Sequence, residues 1–480
     1  MITSLVNNAS EISGVPTDQI LLLICLFLSI LLSYSFRLIN SYYVRVLISV
    51  IISIPLQILN YGNNTWYLFT TDLFCVFTIL LLPRKWIGTV HCLYVGSVLS
   101  YIHFTRMYYD YGGWTMDVSL IYMMTTQRYT AYGLYYSSNE DKLKNFNLIE
   151  YISYIHFLPS CISGPFMEYS SYIDFIKLKN KYTNTNNLSN NVNKMYLKNI
   201  IPKKILIFMF VLAFTIITRN KLSPNHILLS LEKLKDEFSL INTNKNNFYY
   251  SFNLFIDFIL FMINYFLIIL IKSRYYIAFI STEIACDVSG ISYDSSIDVL
   301  DKTTKNIEIV KCANVIKCET TIEVKEFFKN WNIATHKWLK EYCFKRLIPL
   351  LNSQIKAEIV TFIISALWHG FYPSYFIVFG SFIVGQFIQK DINYTKLALD
   401  KANSLICKYI KAVYLALYYF NFYIFYSYLF LILDSLEIEK LIHINQQFYY
   451  LPYMSCLFIL ILGKLGKFTV KNSKFEIKKN

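Results

Sequence analysis

Long apolar runs alternate with polar segments along this chain. Each run has roughly the 17 to 25 residues that a helix needs to cross a hydrocarbon layer about 30 Å thick. The runs fall near residues 20 to 36, 44 to 60, 65 to 82, 87 to 104, 115 to 136, 150 to 163, 204 to 218, 248 to 271, 274 to 290, 357 to 386, 411 to 433 and 450 to 463. Backbone polar groups in lipid must be satisfied within the segment, and the ten-residue alternation of a membrane barrel is absent. The pattern therefore predicts an all-α, polytopic transmembrane helical bundle of about ten to twelve membrane helices.

Three polar stretches interrupt it. Residues 177–199 are rich in Asn and Lys and read as a low-complexity loop, and residues 219–247 read as a polar loop with one short apolar patch. The stretch 292–356 differs in kind. Between Phe327 and Leu350 the positions Phe328, Trp331, Thr335, Trp338, Leu339, Tyr342, Cys343 and Leu347 recur at steps of three and four, which predicts one face of a helix lying at a bilayer boundary or buried in the bundle. With no internal repeat and no soluble domain boundary, residues 1–470 read as a single membrane-embedded domain, followed by a basic tail at 471–480.

Composition supports the lipid reading: 55% of the 480 residues are hydrophobic and 16% charged, against about a quarter charged in soluble chains, and the mean hydropathy is +0.39. The net charge of +14 sits mostly at run ends and in loops, as in Arg84-Lys85 and Lys203-Lys204. That placement fits positive-inside topology and anionic headgroups, with room for a phosphate-bearing substrate. No basic stripe on a soluble domain could track a nucleic-acid backbone, so nucleic acid is not an expected partner. The ten cysteines are scattered without a CxxC or other ligand spacing, so neither a disulfide framework nor a metal site is expected. The first apolar run has no basic residues before it and reads as a first span rather than a cleaved leader.

Candidate chemistry enters with Ile364-Ser365-Ala366-Leu367-Trp368-His369-Gly370-Phe371-Tyr372-Pro373, where a histidine interrupts an apolar run. An ionisable side chain in lipid costs free energy and marks a functional position by default. A neutral imidazole among Leu367, Trp368 and Phe371 is a competent general base. The alternative is a packed histidine bonded to a backbone carbonyl. Asn332, beside Trp331, offers an amide that can hold a carbonyl or a hydroxyl while His369 removes the hydroxyl proton; alone it reads as a helix cap or a surface residue, and its meaning comes from the pair. Lys337, Lys340, Lys345 and Arg346 follow on the amphipathic segment, either solvated or facing phosphates. Arg128, inside the run 115 to 136, can bind a headgroup phosphate or pair with Asp117 or Glu168.

These residues resemble the membrane-bound O-acyltransferase (MBOAT) family. Trp331-Asn332 and Trp338-Leu339, leading to Arg346 and followed by His369 in an apolar run, match its signature, which implies Asn332 and His369 as the catalytic pair. Three segments resemble the lysophospholipid acyltransferase branch. They are Trp368-His369-Gly370-Phe371-Tyr372-Pro373-Ser374-Tyr375, with Ser374 where Gly is usual; Leu158-Pro159 through Gly164-Pro165-Phe166, with Tyr169, Tyr172 and Phe175; and Tyr275-Tyr276-Ile277-Ala278-Phe279 with Glu283 and Gly290, with Phe279 where Trp is usual.

The resemblance covers about residues 110 to 435 and implies transfer of a fatty acyl group from acyl-CoA to the hydroxyl of a lysophospholipid. It implies no permanently bound cofactor and placement in the endoplasmic reticulum membrane. Trp331, Trp338, Trp368, Lys337, Lys340, Arg346, Arg128, Glu168 and Tyr169 are the expected substrate-binding residues. A run Trp331-Asn332-Ile333-Ala334-Thr335-His336-Lys337-Trp338 is shared with the diacylglycerol and sterol acyltransferase branch, which stays open as an alternative. A transporter, the rival from another class, is expected to show inverted repeats or paired midplane charges, and neither is evident.

Overall fold

The computed structural model describes residues 2–113, 115–138, 146–179, 196–218, 233, 247–292, 310–321, 323–401, 405–447 and 450–472. Most of the expected loops at 177–199 and 219–247, and nearly all of the tail at 471–480, lie outside the described residues. Every regular element among the described residues is helical.

The N-terminal half runs α1 (Ile2–Ser13), α2 (Thr17–Ser33), α3 (Ser35–Leu38), α4 (Tyr42–Tyr61), α5 (Trp66–Leu81), α6 (Arg84–Tyr109), α7 (Ser119–Ser138), α8 (Leu148–Ile155), α9 (Tyr169–Ile176) and α10 (Ile201–Ile217). A long α11 (Asn247–Ser289) leads into α12 (Val315–Thr320), α13 (Val324–Asn330), α14 (Ile333–Trp338) and α15 (Lys345–Leu351). The chain then forms α16 (Gln354–His369), α17 (Pro373–Lys401), α18 (Leu405–Asp434), α19 (Ile438–Gln447) and α20 (Leu451–Asn472). Among the described residues, four stretches are long and apolar enough to cross a membrane: Thr17–Leu38, Tyr42–Leu81, Arg84–Tyr109 and Lys198–Ile217.

Four expectations change. The run 150 to 163 is not a membrane helix. It forms the short α8, a 3-10 turn at Leu158–Ser160 and an irregular buried loop as far as Glu168, because Pro159 and Gly164-Pro165 break the helix. Irregular backbone at this depth persists only if its carbonyls find donors. Side chains supply them: Ser29 Oγ donates to Leu158 O (3.0 Å), Gln57 Nε2 to Cys161 O (2.9 Å), Tyr61 Oη to Ile162 O (2.8 Å) and Tyr154 Oη to Met167 O (2.8 Å).

The runs 248 to 271 and 274 to 290 form one helix of 43 residues, α11. The charges that separate them in sequence are paired across the bundle: Lys272 Nζ lies 3.1 Å from Glu319 Oε2, and Arg274 pairs with Asp434. The run 357 to 386 is broken instead, since α16 ends at His369 and α17 starts at Pro373. Gly370 turns between them at φ +134°, a conformation closed to most side chains. The face predicted from Phe327 to Leu350 belongs to three short helices. The chain kinks at Trp331-Asn332 and widens into a π-helical turn over Leu339–Phe344 before α15.

Buried side chains form two large cores. The first gathers α2 and α4 to α9 and includes Trp338 and Trp368; the second gathers α11, α13, α17, α18 and α20, with Trp331 packed against it. The segment Trp331 to Trp338 therefore crosses from one core to the other. Helix α7 is buried nearly all round, as its Ile121, Thr125, Gln127, Arg128, Tyr129 and Tyr132 show. Its threonine hydroxyls bond back to carbonyls of its own helix, such as Thr126 Oγ1 to Tyr122 O at 2.7 Å.

Candidate active site

Trp331 closes α13 with extended backbone, and Asn332 follows in the left-handed region (φ 43°, ψ 54°). Asn is one of the few residues that tolerate this conformation without severe cost. The kink is held from several sides. Trp331 is ringed by Tyr276, Phe279, Phe327 and Phe430, with centroid distances of 5.4, 5.5, 5.7 and 5.2 Å. The segment before α12 runs alongside: Ile333 N donates to Cys312 O (2.8 Å) and Asn314 N to Asn330 O (2.9 Å), while Cys312 N is fixed by Glu283 Oε2 at 3.1 Å. Beyond the kink, α7 takes hold of α14. Gln127 Nε2 donates to Thr335 Oγ1 (2.9 Å), and Trp338 Nε1 donates to Thr130 Oγ1 (3.1 Å).

Asn332 stands at the N-cap position of α14, yet its side chain makes no cap hydrogen bond. Its carboxamide has no hydrogen-bond partner among the described residues, which sets the helix-cap alternative aside. His369 is the last residue of α16, and its imidazole is likewise free of hydrogen bonds among the described residues. Its ring rests against Trp368 (4.9 Å), Phe379 (5.2 Å) and Tyr375 (5.7 Å). The expected neighbour Leu367 points away and is 41% exposed, because α16 carries it to the opposite face.

Asn332 and His369 line one cavity of about 470 Å³. Its walls are mainly aromatic, from Trp331, Phe327, Phe362, Phe379, Phe382 and Phe430, with Thr335 and Ser365 as further hydroxyls. Ser365 precedes His369 by one helical turn and Thr335 follows Asn332 by nearly one, so the i, i+3 and i, i+4 spacing was the signal that would have found them. Lys325, Lys329 and Lys340 also reach the cavity, together with His336 and Glu358. Desolvation, reinforced by Lys340 and Lys329, holds the His336 imidazole below the usual histidine range.

The predicted binding residues thus divide. Trp331 and Lys340 line the cavity with the pair. Trp338 and Trp368 stand behind it in the first core, 6.3 Å apart, with Trp368 Nε1 donating to Met123 O at 3.0 Å. Lys337 turns toward Glu168 (4.0 Å), which also accepts from Tyr342 Oη. Arg346 lies over the Tyr342 ring, and Lys345 pairs with Glu341. Lys337 precedes the π-helical turn at Leu339–Phe344, and Lys345 and Arg346 follow it. Tyr169 belongs to a buried tyrosine cluster and donates to Glu150 Oε2 (3.1 Å).

Arg128 takes neither expected role. Fully buried, it donates through Nη1 to Ile155 O (2.5 Å) and through Nη2 to Ser160 O (2.7 Å), so its charge satisfies carbonyls at the end of α8 and of the 3-10 turn. Lys325 and Lys329, missed in the sequence, reach the cavity from α13.

Comparison with known proteins bears on this arrangement directly. The model of the MBOAT, membrane-bound O-acyltransferase family, matches residues 55–429, which include the kink, both polar residues and the helices around them. The chain belongs to that family. As a member it is an integral membrane protein built as a polytopic helical bundle. It is 22% identical to a Drosophila melanogaster protein named lysophospholipid acyltransferase 6, over 78% of this chain and 51% of that one. It is 25% identical to human membrane-bound glycerophospholipid O-acyltransferase 1, over 77% of this chain and 74% of the relative. A lysophospholipid acyltransferase of Schizosaccharomyces pombe is 26% identical over 52% of this chain and 44% of its own length. The chain thus spans about half the length of the fly relative and about three quarters of the human one.

Proposed function

We propose that this MBOAT chain is a lysophospholipid acyltransferase, and that residues 1–470 act as one membrane-embedded unit moving a fatty acyl group from acyl-CoA to the free hydroxyl of a lysophospholipid. The observation that carries this reading is the convergence of Asn332 and His369, both without hydrogen-bond partners among the described residues, on one aromatic cavity. In the reaction His369 accepts the hydroxyl proton as the oxygen attacks the thioester carbonyl carbon. A C–O bond forms and the carbonyl becomes an oxyanion, toward which the Asn332 amide donates. The intermediate collapses with cleavage of the C–S bond, and the imidazolium returns its proton to the departing thiolate. The aromatic walls suit an acyl chain and exclude water from the step.

Release of free CoA from acyl-CoA, followed as a function of added acceptor, tests the reading. Purified protein is expected to release CoA with lysophospholipids and far more slowly with diacylglycerol or a sterol. Equal or preferred release with diacylglycerol or sterol would move the protein to the other branch of the family, and release independent of any acceptor would overturn acyl transfer. Location in the endoplasmic reticulum membrane is proposed on the family resemblance, and co-fractionation with another membrane would refute it.

The cavity cations extend the proposal to the co-substrate. Of the four expected cations Lys340 is kept, and Lys325 and Lys329 take the place of Lys337, Lys345 and Arg346 as the groups that meet the CoA phosphates, since Lys325, Lys329 and Lys340 reach the cavity. Changing all three to Ala is expected to raise KM for acyl-CoA about tenfold or more with little change in kcat, as loss of uniform binding does. An unchanged KM would return the phosphates to another surface.

A further inference from the structure

A histidine bonded to a backbone carbonyl was the alternative reading of His369, and the bundle does contain such histidines at other positions, one of them on the carbonyl of Trp368. His103, buried in α6, has Nε2 at 3.0 Å from the carbonyl oxygen of Trp368. A carbonyl only accepts, so His103 Nε2 must carry hydrogen and donate. The carbonyl belongs to the last turn of α16, where no intrahelical N–H is available. Trp368 is therefore tethered from two helices: its carbonyl by His103 of α6, and its indole by Met123 O of α7.

This matters because of what His369 lacks. A general base is ordinarily oriented by a hydrogen bond on its second ring nitrogen. His369 has no such bond among the described residues, only ring contacts. Where its ring points depends on the backbone from Trp368 to Gly370. The same His103 ring that tethers Trp368 O also lies against Gly370, where a Cβ would meet its Nδ1 at 3.5 Å, an ordinary contact distance. We infer that His103 is a positioning residue for acyl transfer: its N–H on the Trp368 carbonyl sets the direction of the His369 imidazole. The inference rests on the acyltransferase reading and assigns His103 no contact with substrate.

The test compares His103→Leu, which fills the space without a donor, with His103→Gln, whose amide N–H can reach the same carbonyl. An error of about 1 Å in a reacting group costs on the order of a hundredfold in rate. His103→Leu is expected to lose roughly 10- to 100-fold in kcat, with KM for acyl-CoA and lysophospholipid within about twofold of wild type. His103→Gln is expected to recover most of that loss. In a His369→Ala background the Leu change is expected to cost nothing further, because there is no imidazole left to aim. Full turnover by His103→Leu, a rise in KM matching the fall in kcat, a Gln variant as slow as Leu, or a further loss in the His369→Ala background would each overturn the inference. The wild type separates the two readings: its failure to transfer acyl groups strikes the acyltransferase proposal and this inference together, whereas an active wild type beside a fully active His103→Leu strikes this inference alone.

Discussion

Replacing His369 with Ala is expected to lower kcat by about a thousandfold or more, within and above the range of 10² to 10⁴ that a general base contributes. KM for both substrates should hardly move, because the imidazole is asked to act when the hydroxyl attacks and contributes little to ground-state binding. The structure also makes the experiment clean. His369 makes no hydrogen bond or ion pair among the described residues that would be orphaned, and the neighbouring Trp368, Phe379 and Tyr375 keep their own packing. Truncation removes ring contacts at the wall of an existing cavity, so the loss in stability should be small beside that of a filled core site. Purified yield and thermal midpoint close to wild type, with turnover nearly gone, is the expected pair of results. Turnover within about tenfold of wild type would remove the base assignment.

Asn332 calls for a different design, because backbone and side chain both make demands there. At φ 43° an Ala adds about 1 to 2 kcal/mol of strain, so Asn332→Ala confounds loss of the amide with loss of the turn. Asn332→Gly removes the amide and leaves the turn relaxed, and Asn332→Asp keeps the shape but offers no donor. If the carboxamide stabilises the oxyanion, Gly and Asp variants should both lose about 10² to 10³ in kcat, the scale of a single oxyanion donor. The Gly variant should also melt near wild type, and the Ala variant should melt lower. A Gly variant with nearly full turnover would mean that position 332 serves the kink alone.

The two residues also differ in how far the sequence revealed them. His369 was legible because a histidine in an apolar run is expensive, and this holds whatever surrounds it. Asn332 was ambiguous, since an Asn beside a helix start reads as a cap. It took the left-handed turn and the absence of a cap hydrogen bond to show that its amide is left for the cavity. The cations were legible as a group but not one by one: Lys340 reaches the cavity, while Lys337 turns to Glu168, Lys345 pairs with Glu341 and Arg346 lies over the Tyr342 ring, and beyond Trp338 the π-helical turn changes the angular step that the 3.6-residue reading assumes. His103 sat in the run 87 to 104 with the same signal as His369, and only the 3.0 Å contact with Trp368 O gives it a role.

Charge and punctuation show the same division. Pro159, Gly164-Pro165, Gly370 and Pro373 mark where helices stop, and the chain does break there. Lys272 and Arg274 suggested a boundary that the structure lacks, since Glu319 and Asp434 from distant helices pair with them inside one continuous α11. Arg128 is the inverse case, a buried charge whose partners are carbonyls and so carry no mark in the sequence.

By itself the sequence determined the solvent of this protein and its helical class, and it marked His369 as the candidate base. Those follow from local quantities: the length of apolar runs, the self-sufficiency of helical backbone in lipid, and the cost of one ionisable group there. Tertiary structure decided which polar groups face the cavity, which charges are taken up by partners, and what holds His369 in place. Those depend on hydrogen bonds and packing between residues far apart in the chain, which no local pattern encodes.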